Sequence, residues 1–303
     1  MAITSPSLGP PFNSADYQIS ADYQILQSLS LTAVVDLCQR RELNHQKCGE
    51  FRQIASGTPV LLLHAWGESR RSFDRLLPLL PVTIHAVAMD LRGHGDSGKP
   101  KVGYSLEDFA EDVVAFMDVA GLSSAVLVGS SSGGYVAQQV AVTRPQRVAG
   151  LVLVGSPRDL QGRPPFADEI DQLSDPVDAA RVRESLTWFP RFHEVPQWYI
   201  DDRVRDGVRI PAKVWRDTFN GLITARPPTD AGTIAAPTLI IRGDRDELLT
   251  QEQEETLAAA IPVSRLVMYQ DTGHQLLWEQ PERVASDLIT FVESLHSGVR
   301  DEP

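Results

Sequence analysis

The chain has 303 residues, enough for one domain with an insertion or for two domains. A hydrophobic content of 42% and a mean hydropathy of −0.16 are typical of a water-soluble globular protein. The formal net charge of −12 provides no basic surface to neutralise phosphates, which argues against nucleic acid and anionic membranes as partners.

Residues 1–50 form an N-terminal extension whose structure the sequence does not define. Both cysteines, Cys38 and Cys48, lie in it without metal-ligand spacing, and we interpret them as reduced thiols. The chain shows no basic start followed by an apolar stretch, and no apolar run approaches the roughly 18 residues of a membrane span. We therefore expect a cytoplasmic protein.

From residue 60 onward, apolar runs typical of buried strands alternate with segments of helical pattern. This alternation predicts an α/β fold in which a mostly parallel central sheet carries helices on both faces. The predicted strands are Val60–Leu63, Ile84–Met89, Ala125–Val128, Gly150–Val154, Pro237–Arg242 and Arg265–Tyr269.

The clearest predicted helix spans Ser105–Ala120. Ser105 and Asp108 have the spacing of a capping box, and Gly121 is placed to end the helix. The apolar face of this helix has helical spacing, predicts core packing and consists of Phe109, Val113, Phe116 and Ala120.

A Gly-x-Ser-x-Gly turn joins the third predicted strand to a helical segment that begins at Tyr135. Strand, tight turn and helix are the layout of a nucleophile elbow, which presents one serine hydroxyl at a sharp corner. The elbow needs small residues two before, two after and three after the nucleophile, because strand and helix approach closely there. Of the three consecutive serines, only Ser131 meets this requirement, through Gly129, Gly133 and Gly134.

A serine nucleophile needs a base, and the base needs an orienting acid. His274 follows the last predicted strand and is the candidate base. Asp244 and Asp246 both follow the strand before it, so either could be the acid. These positions lie just past the carboxyl ends of strands, where open α/β sheets place their ligands.

Taken together, these motifs resemble the α/β-hydrolase superfamily over roughly residues 51–296. Val60–Gly67 is similar to the family's strand and oxyanion turn, and Asp90–Ser97 is similar to its loop after the following strand. The resemblance implies an α/β-hydrolase core of residues 51–156 and 237–303, with a helical cap insertion of residues 157–236.

The resemblance also implies a role for each candidate catalytic residue. Ser131 would be the nucleophile, and His274 would be the general base and then the general acid. Asp246 would be the orienting acid, since the family pattern is Gly-x-x-Asp and starts here at Gly243. A less common variant of the family takes the acid from the loop after the fourth strand, which would nominate Asp159.

The implied oxyanion hole consists of the backbone N–H groups of Trp66 and Ser132. The family usually has His-Gly before the first of these positions, whereas this chain has His64-Ala65. If the turn required a positive φ at residue 65, alanine there would cost about 1 kcal/mol or more. His64 resembles a structural histidine that is buried and hydrogen-bonded. Catalysis by a serine, a histidine and an aspartate, as the resemblance implies, requires no metal and no organic cofactor.

The implied cap is strand-poor and rich in aromatic side chains, among them Phe166. Ligand sites are typically apolar with few polar anchors, so this composition favours a bulky or aromatic substrate. The candidate substrate-binding residues are Trp188, Phe189, Phe192, Trp198, Tyr199, Trp215 and Phe219.

The activity expected from this set is hydrolysis of a small-molecule carboxylic ester or lactone through an acyl-enzyme. The same three catalytic residues would serve a cofactor-free perhydrolase, an acyltransferase or a carbon–carbon bond hydrolase. A non-catalytic ligand-binding protein on the same fold is an alternative of a different class.

The segment Gly93–Pro100 fits the Gly-x4-Gly-Lys part of a phosphate-binding loop. The next position of such a loop must be Ser or Thr to hold magnesium, and here it is Pro100, which has no hydroxyl. The sequence therefore predicts no nucleotide site in this loop.

Overall fold

The computed structural model describes residues 57–297. The N-terminal extension of residues 1–50, with Cys38 and Cys48, and the first residues of the predicted core lie outside the described residues. Within the described range, no helix is long and apolar enough to cross a membrane.

Six parallel strands form one central sheet in the described part of the chain, and they confirm the predicted α/β fold. In chain order the strands are β1 (Thr58–Leu63), β2 (Ile84–Met89), β3 (Ala125–Ser130), β4 (Val148–Val154), β5 (Thr238–Gly243) and β6 (Ser264–Tyr269). Their order in the sheet is β2-β1-β3-β4-β5-β6, and every neighbouring pair is parallel. The apolar runs located all six strands because the strands of a covered parallel sheet are apolar on both faces.

Helices cover both faces of this sheet. In chain order they are α1 (Leu106–Val119), α2 (Ser132–Thr143), α3 (Ala167–Asp171), α4 (Ala179–Ser185), α5 (Gln197–Val208), α6 (Ala212–Ile223), α7 (Pro228–Ala231), α8 (Gln251–Ala260), α9 (Leu276–Glu279) and α10 (Pro281–Ser297).

Alternate residues of β1 enter two separate hydrophobic cores. Leu61 and Leu63 belong to one core together with Phe109 of α1. Leu62 belongs to the other core together with Leu288 of α10. Successive side chains of a strand point to opposite faces, so one short apolar run supports both layers of helices.

Helix α1 begins as the sequence predicts. Ser105 is the N-cap, and it exchanges hydrogen bonds with Asp108 in a capping box. The helix ends before Gly121, whose φ is +69°. Its buried face differs from the predicted one, because Met117 is fully buried while Phe116 and Ala120 are only half-buried.

Helices α3–α7 lie between β4 and β5, and residues 157–236 contain no strand. We call this segment the helical insertion. Its interpretation as a separate cap stays a prediction, since the fold alone does not show that it covers a substrate.

We expect Val113→Ala to lower the free energy of unfolding by about 2 to 3 kcal/mol, because the side chain is buried in the core and its removal leaves a cavity. Val119→Ala on the same helix is the matched control, since Val119 is 64% exposed and Val113 is 0% exposed. Urea denaturation of both variants checks this prediction. Equal losses of stability would contradict the packing of α1.

Candidate active site

The parallel register brings the carboxyl ends of several strands to one edge of the sheet. Leu63 at the end of β1 pairs with Gly129 of β3, and Gly243 at the end of β5 pairs with Tyr269 of β6. The loops that follow β1, β3, β5 and β6 carry Trp66, Ser131, Asp246 and His274, respectively. The predicted site residues therefore start from one edge although they are far apart in sequence.

A sharp turn places Ser131 between β3 and α2. Its backbone has φ 49° and ψ −121°, a conformation that side-chain-bearing residues rarely adopt. The turn depends on the absence of side chains around it. An added Cβ at Gly129 would lie 2.3 Å from the Cα atom of Gly134, and one at Gly133 would lie 2.3 Å from the carbonyl oxygen of Leu63.

The structure brings Ser131, His274 and Asp246 into one hydrogen-bonded chain. His274 Nε2 lies 3.0 Å from Ser131 Oγ, and His274 Nδ1 lies 2.8 Å from Asp246 Oδ2. The Asp246 side chain is fully buried and that of His274 is 7% exposed. This arrangement can hold a neutral imidazole with its proton on Nδ1 and its lone pair on Nε2 aimed at the serine hydroxyl.

The two other candidate acids do not contact His274. Asp244 accepts a hydrogen bond from the backbone N–H of Thr272. Asp159 accepts one from the backbone N–H of Gln161 and forms an ion pair with Arg158. Asp246 differs from both acids in that its Oδ2 contacts His274, while its Oδ1 accepts hydrogen bonds from the loop that follows it.

Backbone N–H groups keep Asp246 oriented and charged. Those of Leu248 and Leu249 donate to its Oδ1 at 2.9 and 3.0 Å. Burial by itself would raise the pKa of Asp246, but the charge and hydrogen bond of His274 and the two N–H groups outweigh it. The pKa of Asp246 therefore lies below its ordinary value, and the group is a carboxylate at neutral pH.

The two predicted oxyanion donors lie next to each other. The backbone N–H of Trp66 donates to the hydroxyl oxygen of Ser132 at 2.7 Å. The backbone N–H of Ser132 starts helix α2, and no acceptor among residues 57–297 takes it. This free N–H lies directly after Ser131, at a helix N-terminus where the dipole favours negative charge.

The strain considered at Ala65 does not arise. The turn places its positive φ of +79° at Gly67, and Ala65 is not among the non-glycine residues with positive φ. Glycine is required at position 67 for a second reason, because an added Cβ would lie 2.3 Å from the ring of Trp215.

Two buried histidines hold the Trp66 loop in place. His64 Nε2 accepts from Leu91 N–H at 3.0 Å, and His94 Nε2 accepts from Gly67 N–H at 3.3 Å. Each Nδ1 lies within 2.9 Å of a backbone carbonyl oxygen. Burial lowers the pKa of His64, and burial with the nearby His64 lowers that of His94 to about 3, so both rings are neutral. The sequence predicted a structural role for His64 but did not single out His94.

The glycine-rich loop that resembles a phosphate site is filled by its own carboxylate. Asp90 is buried and accepts hydrogen bonds from the backbone N–H groups of Arg70 and Asp96 at 2.7 and 3.0 Å. An added Cβ at Gly95 would lie 2.2 Å from the Asp90 carboxyl carbon. The loop thus wraps around an internal anion, which leaves no room for an external phosphate.

Aromatic side chains of the helical insertion gather around Trp66. Its ring centroid lies 4.8 Å from that of Trp215 and 5.3 Å from that of Phe219. Phe166 continues the cluster towards Trp188, with which it stacks at 4.6 Å. Phe189 lies 5.1 Å from the His274 ring. We name this aromatic cluster by its members, Trp66, Phe166, Trp188, Phe189, Trp215 and Phe219.

The remaining predicted substrate-binding residues lie elsewhere. Tyr199 is fully buried in the core shared with α10, where its hydroxyl donates to the carbonyl oxygen of Ser72 at 2.6 Å. Trp198 is 51% exposed and packs edge-on against Tyr199. Phe192 is 44% exposed beside Gly273. The structure does not bring Trp198 and Tyr199 into the aromatic cluster, because on α5 Tyr199 faces the core shared with α10 and Trp198 is exposed.

A small, mostly apolar pocket lies next to the aromatic cluster, within the helical insertion. Trp188 and Trp215 form part of its wall, and its other apolar lining residues are Ile170, Leu173, Val177 and Val182. Among residues 57–297, no group of three or more His, Cys, Asp or Glu side chains is arranged to hold a metal ion.

Comparisons with known proteins agree with this fold. Residues 58–281 match the model of the alpha/beta hydrolase fold family. The chain is 28% identical over 263 residues to a non-heme haloperoxidase of Rhodococcus erythropolis. This alignment covers 80% of this chain and 95% of that relative. It is similar to a thermophilic esterase from Thermogutta terrifontis, with a TM-score of 0.67, 26% identity and coverage of 80% and 91%. It is also similar to Est816, an N-acyl homoserine lactone degrading enzyme, with a TM-score of 0.62, 27% identity and coverage of 78% and 93%.

The strained backbone of Ser131 predicts an unusual effect on stability. We expect Ser131→Gly to be about 1 kcal/mol more stable than Ser131→Ala, because glycine adopts positive φ without steric cost. Chemical denaturation of the two variants measures the difference in their free energies of unfolding. Both variants lack the serine hydroxyl, so the effect of its loss is the same in each and cancels from the difference. A glycine variant less stable than the alanine variant would contradict the turn geometry.

Proposed function

The chain belongs to the alpha/beta hydrolase fold family, and from that premise we propose that it is a serine hydrolase that cleaves a small-molecule carboxylic ester or lactone through an acyl-enzyme. The observation that carries this proposal is the hydrogen-bonded chain from Ser131 through His274 to Asp246, which ends beside the free N–H of Ser132.

The first half of the reaction forms the acyl-enzyme. His274 Nε2 takes the proton of Ser131 while Oγ attacks the acyl carbon, and the carbonyl oxygen becomes an oxyanion. The imidazolium then protonates the leaving alcohol oxygen as its bond to the acyl carbon breaks. Asp246 keeps the Nδ1 proton of His274 in place and stabilises the imidazolium charge throughout.

The oxyanion is stabilised by the N–H groups of Ser132 and Trp66. The first is free in the resting structure, whereas the second donates to the Ser132 hydroxyl. Turnover therefore requires the Trp66 N–H to exchange that hydroxyl for the substrate oxygen. Loss of one such donor typically costs roughly 3 to 4 kcal/mol of transition-state stabilisation.

The second half of the reaction releases the acid. His274, neutral again, takes a proton from a water molecule that attacks the acyl carbon, and it then returns this proton to Ser131 as the ester bond breaks. For a lactone the leaving alcohol stays attached to the acyl chain, so one open-chain hydroxy acid is the product.

The aromatic cluster supports a substrate with a bulky apolar or aromatic part. Phe189 lies against the base, and Trp66 carries one oxyanion donor, so both ends of the cluster border the reacting atoms. The esterase and the lactone-degrading enzyme among the similar structures agree with both substrate classes.

Perhydrolysis is a second candidate function, favoured by the likeness to a haloperoxidase over 95% of that relative's length. In that reaction hydrogen peroxide replaces water in the attack on the acyl-enzyme and a peracid leaves. Peracid formation from acetate and hydrogen peroxide, measured for the wild type and for Ser131→Ala, separates this activity from simple hydrolysis.

The serine mechanism predicts that Ser131→Ala lowers kcat for esters by roughly 10⁴-fold or more while the fold is kept, because the variant lacks the hydroxyl that lies 3.0 Å from His274 Nε2. A panel of p-nitrophenyl esters and aryl lactones measures turnover, and a fluorophosphonate probe measures labelling of Ser131. Binding of these compounds without turnover by the wild type would favour the ligand-binding alternative.

The acid is identified by a matched pair of variants. We expect Asp246→Asn to lower kcat by about 10³- to 10⁴-fold, because the amide no longer holds the required tautomer of His274. Asp244→Asn two residues earlier is the control and is expected to stay within about threefold of the wild type. The reverse order of effects would overturn the assignment of Asp246.

A further inference from the structure

One buried carboxylate joins the loop of His274 to the helical insertion. Glu279, the last residue of α9, is 5% exposed. Its Oε1 accepts from the backbone N–H of Gly273 at 3.0 Å. Its Oε2 accepts from the backbone N–H groups of Phe192 and His193 at 2.6 and 3.0 Å. Three donors from two separate segments thus converge on a single side chain.

The two segments are in direct contact at this point. An added Cβ at Gly273 would lie 2.4 Å from the carbonyl oxygen of Pro190, so the backbones approach as closely as glycine allows. Gln280, the residue after Glu279, makes a second link, because its amide bonds both to His193 Nε2 at 3.1 Å and to the hydroxyl of Thr272.

The chemistry of the site requires an anion with two acceptor oxygens. All three contacts are N–H donors, so a side-chain amide could face one of the two segments with its oxygen but would face the other with its own donors. Hydrogen bonds from N–H groups to a carboxylate are also roughly twice as strong as those between neutral partners. Glutamine at this position would leave buried donors unpaired.

We infer that Glu279 is a positioning residue for catalysis: it fixes the backbone before His274 against the segment 189–193, and so sets the distance from His274 to Ser131. This inference rests on the proposed function, in which His274 is the base. Phe189 belongs to the same segment and packs on the His274 ring at 5.1 Å, so the carboxylate orients the base from its backbone and from its ring face together.

The test is Glu279→Gln in the full chain, with steady-state kinetics on the ester panel. We expect kcat to fall about 10- to 100-fold with a smaller change in KM, because a displacement of the base by about 1 Å impairs proton transfer more than binding. Unchanged far-UV circular dichroism shows that the variant is folded. A kcat within about twofold of the wild type would overturn the inference.

Glu254→Gln is the matched control. Glu254 on α8 is 1% exposed, and neither of its carboxyl oxygens has a hydrogen-bond partner among residues 57–297. Burial, together with the nearby charge of Asp246, raises the pKa of Glu254 to about 8. The group is therefore mostly neutral at pH 7, and its replacement by a neutral amide of the same shape is expected to leave kcat unchanged.

Trypsin provides a local readout that is independent of activity. The exposed Arg191 precedes Phe192, and the N–H of the Arg191–Phe192 peptide bond is one of the donors to Glu279. We expect cleavage at this bond, followed by mass spectrometry, to be about tenfold faster in Glu279→Gln than in the wild type and in Glu254→Gln. Equal cleavage rates in all three proteins would show that Glu279 does not hold this segment.

A failure of the proposed function can be told apart from a failure of the inference. If the wild type turns over no ester or lactone, the proposed function fails, and the trypsin rates alone decide whether Glu279 joins the two segments.

If Glu279→Gln does not fold, Glu279→Asp is measured in the same way. Aspartate keeps the charge but is one methylene shorter, so it cannot reach both segments, and a kcat equal to that of the wild type would again overturn the inference.

Discussion

The site depends on one close approach of backbone to backbone, where the first turn of helix α2 meets the end of strand β1. A side chain at Gly133 would lie 2.3 Å from the carbonyl oxygen of Leu63, so only glycine permits the contact. The approach brings the Trp66 loop within hydrogen-bond distance of Ser132. It also forces the chain to reverse at Ser131, with a φ of 49°. Strain at the serine and proximity of the two N–H groups have the same cause.

Loops at the edge of the sheet are held by buried carboxylates that accept backbone N–H groups. Asp246 accepts two from its own loop, Asp90 accepts two from the glycine-rich segment and the turn after β1, and Glu279 accepts three from two segments. Loops lack the ladder of hydrogen bonds that strands and helices make for themselves, so side-chain acceptors satisfy their buried donors. This arrangement restrains irregular backbone around the predicted catalytic residues.

Different elements of the helical insertion contribute to the site and to the core on the other side of the sheet. Trp215 and Phe219 of α6 pack on Trp66, and Phe189 packs on His274. Tyr199 of α5 is buried instead with the helices on the other side of the sheet. The place of an aromatic residue in this segment therefore depends on which helix or loop carries it and on where that element faces.

The sequence by itself determined the strands, the helix α1 with its capping box, and the serine at the turn, because these depend on local patterns: apolar runs, the spacing of Ser105 and Asp108, and three glycines around Ser131. Only the tertiary structure shows which of Asp246 and Asp244 contacts His274, since the two acids share a loop and its path turns Asp246 towards the ring. It likewise decided which aromatic residues join the cluster. The role of Glu279 left no mark in the sequence, because its partners are backbone N–H groups, which every residue except proline carries and which only the folded chain brings together.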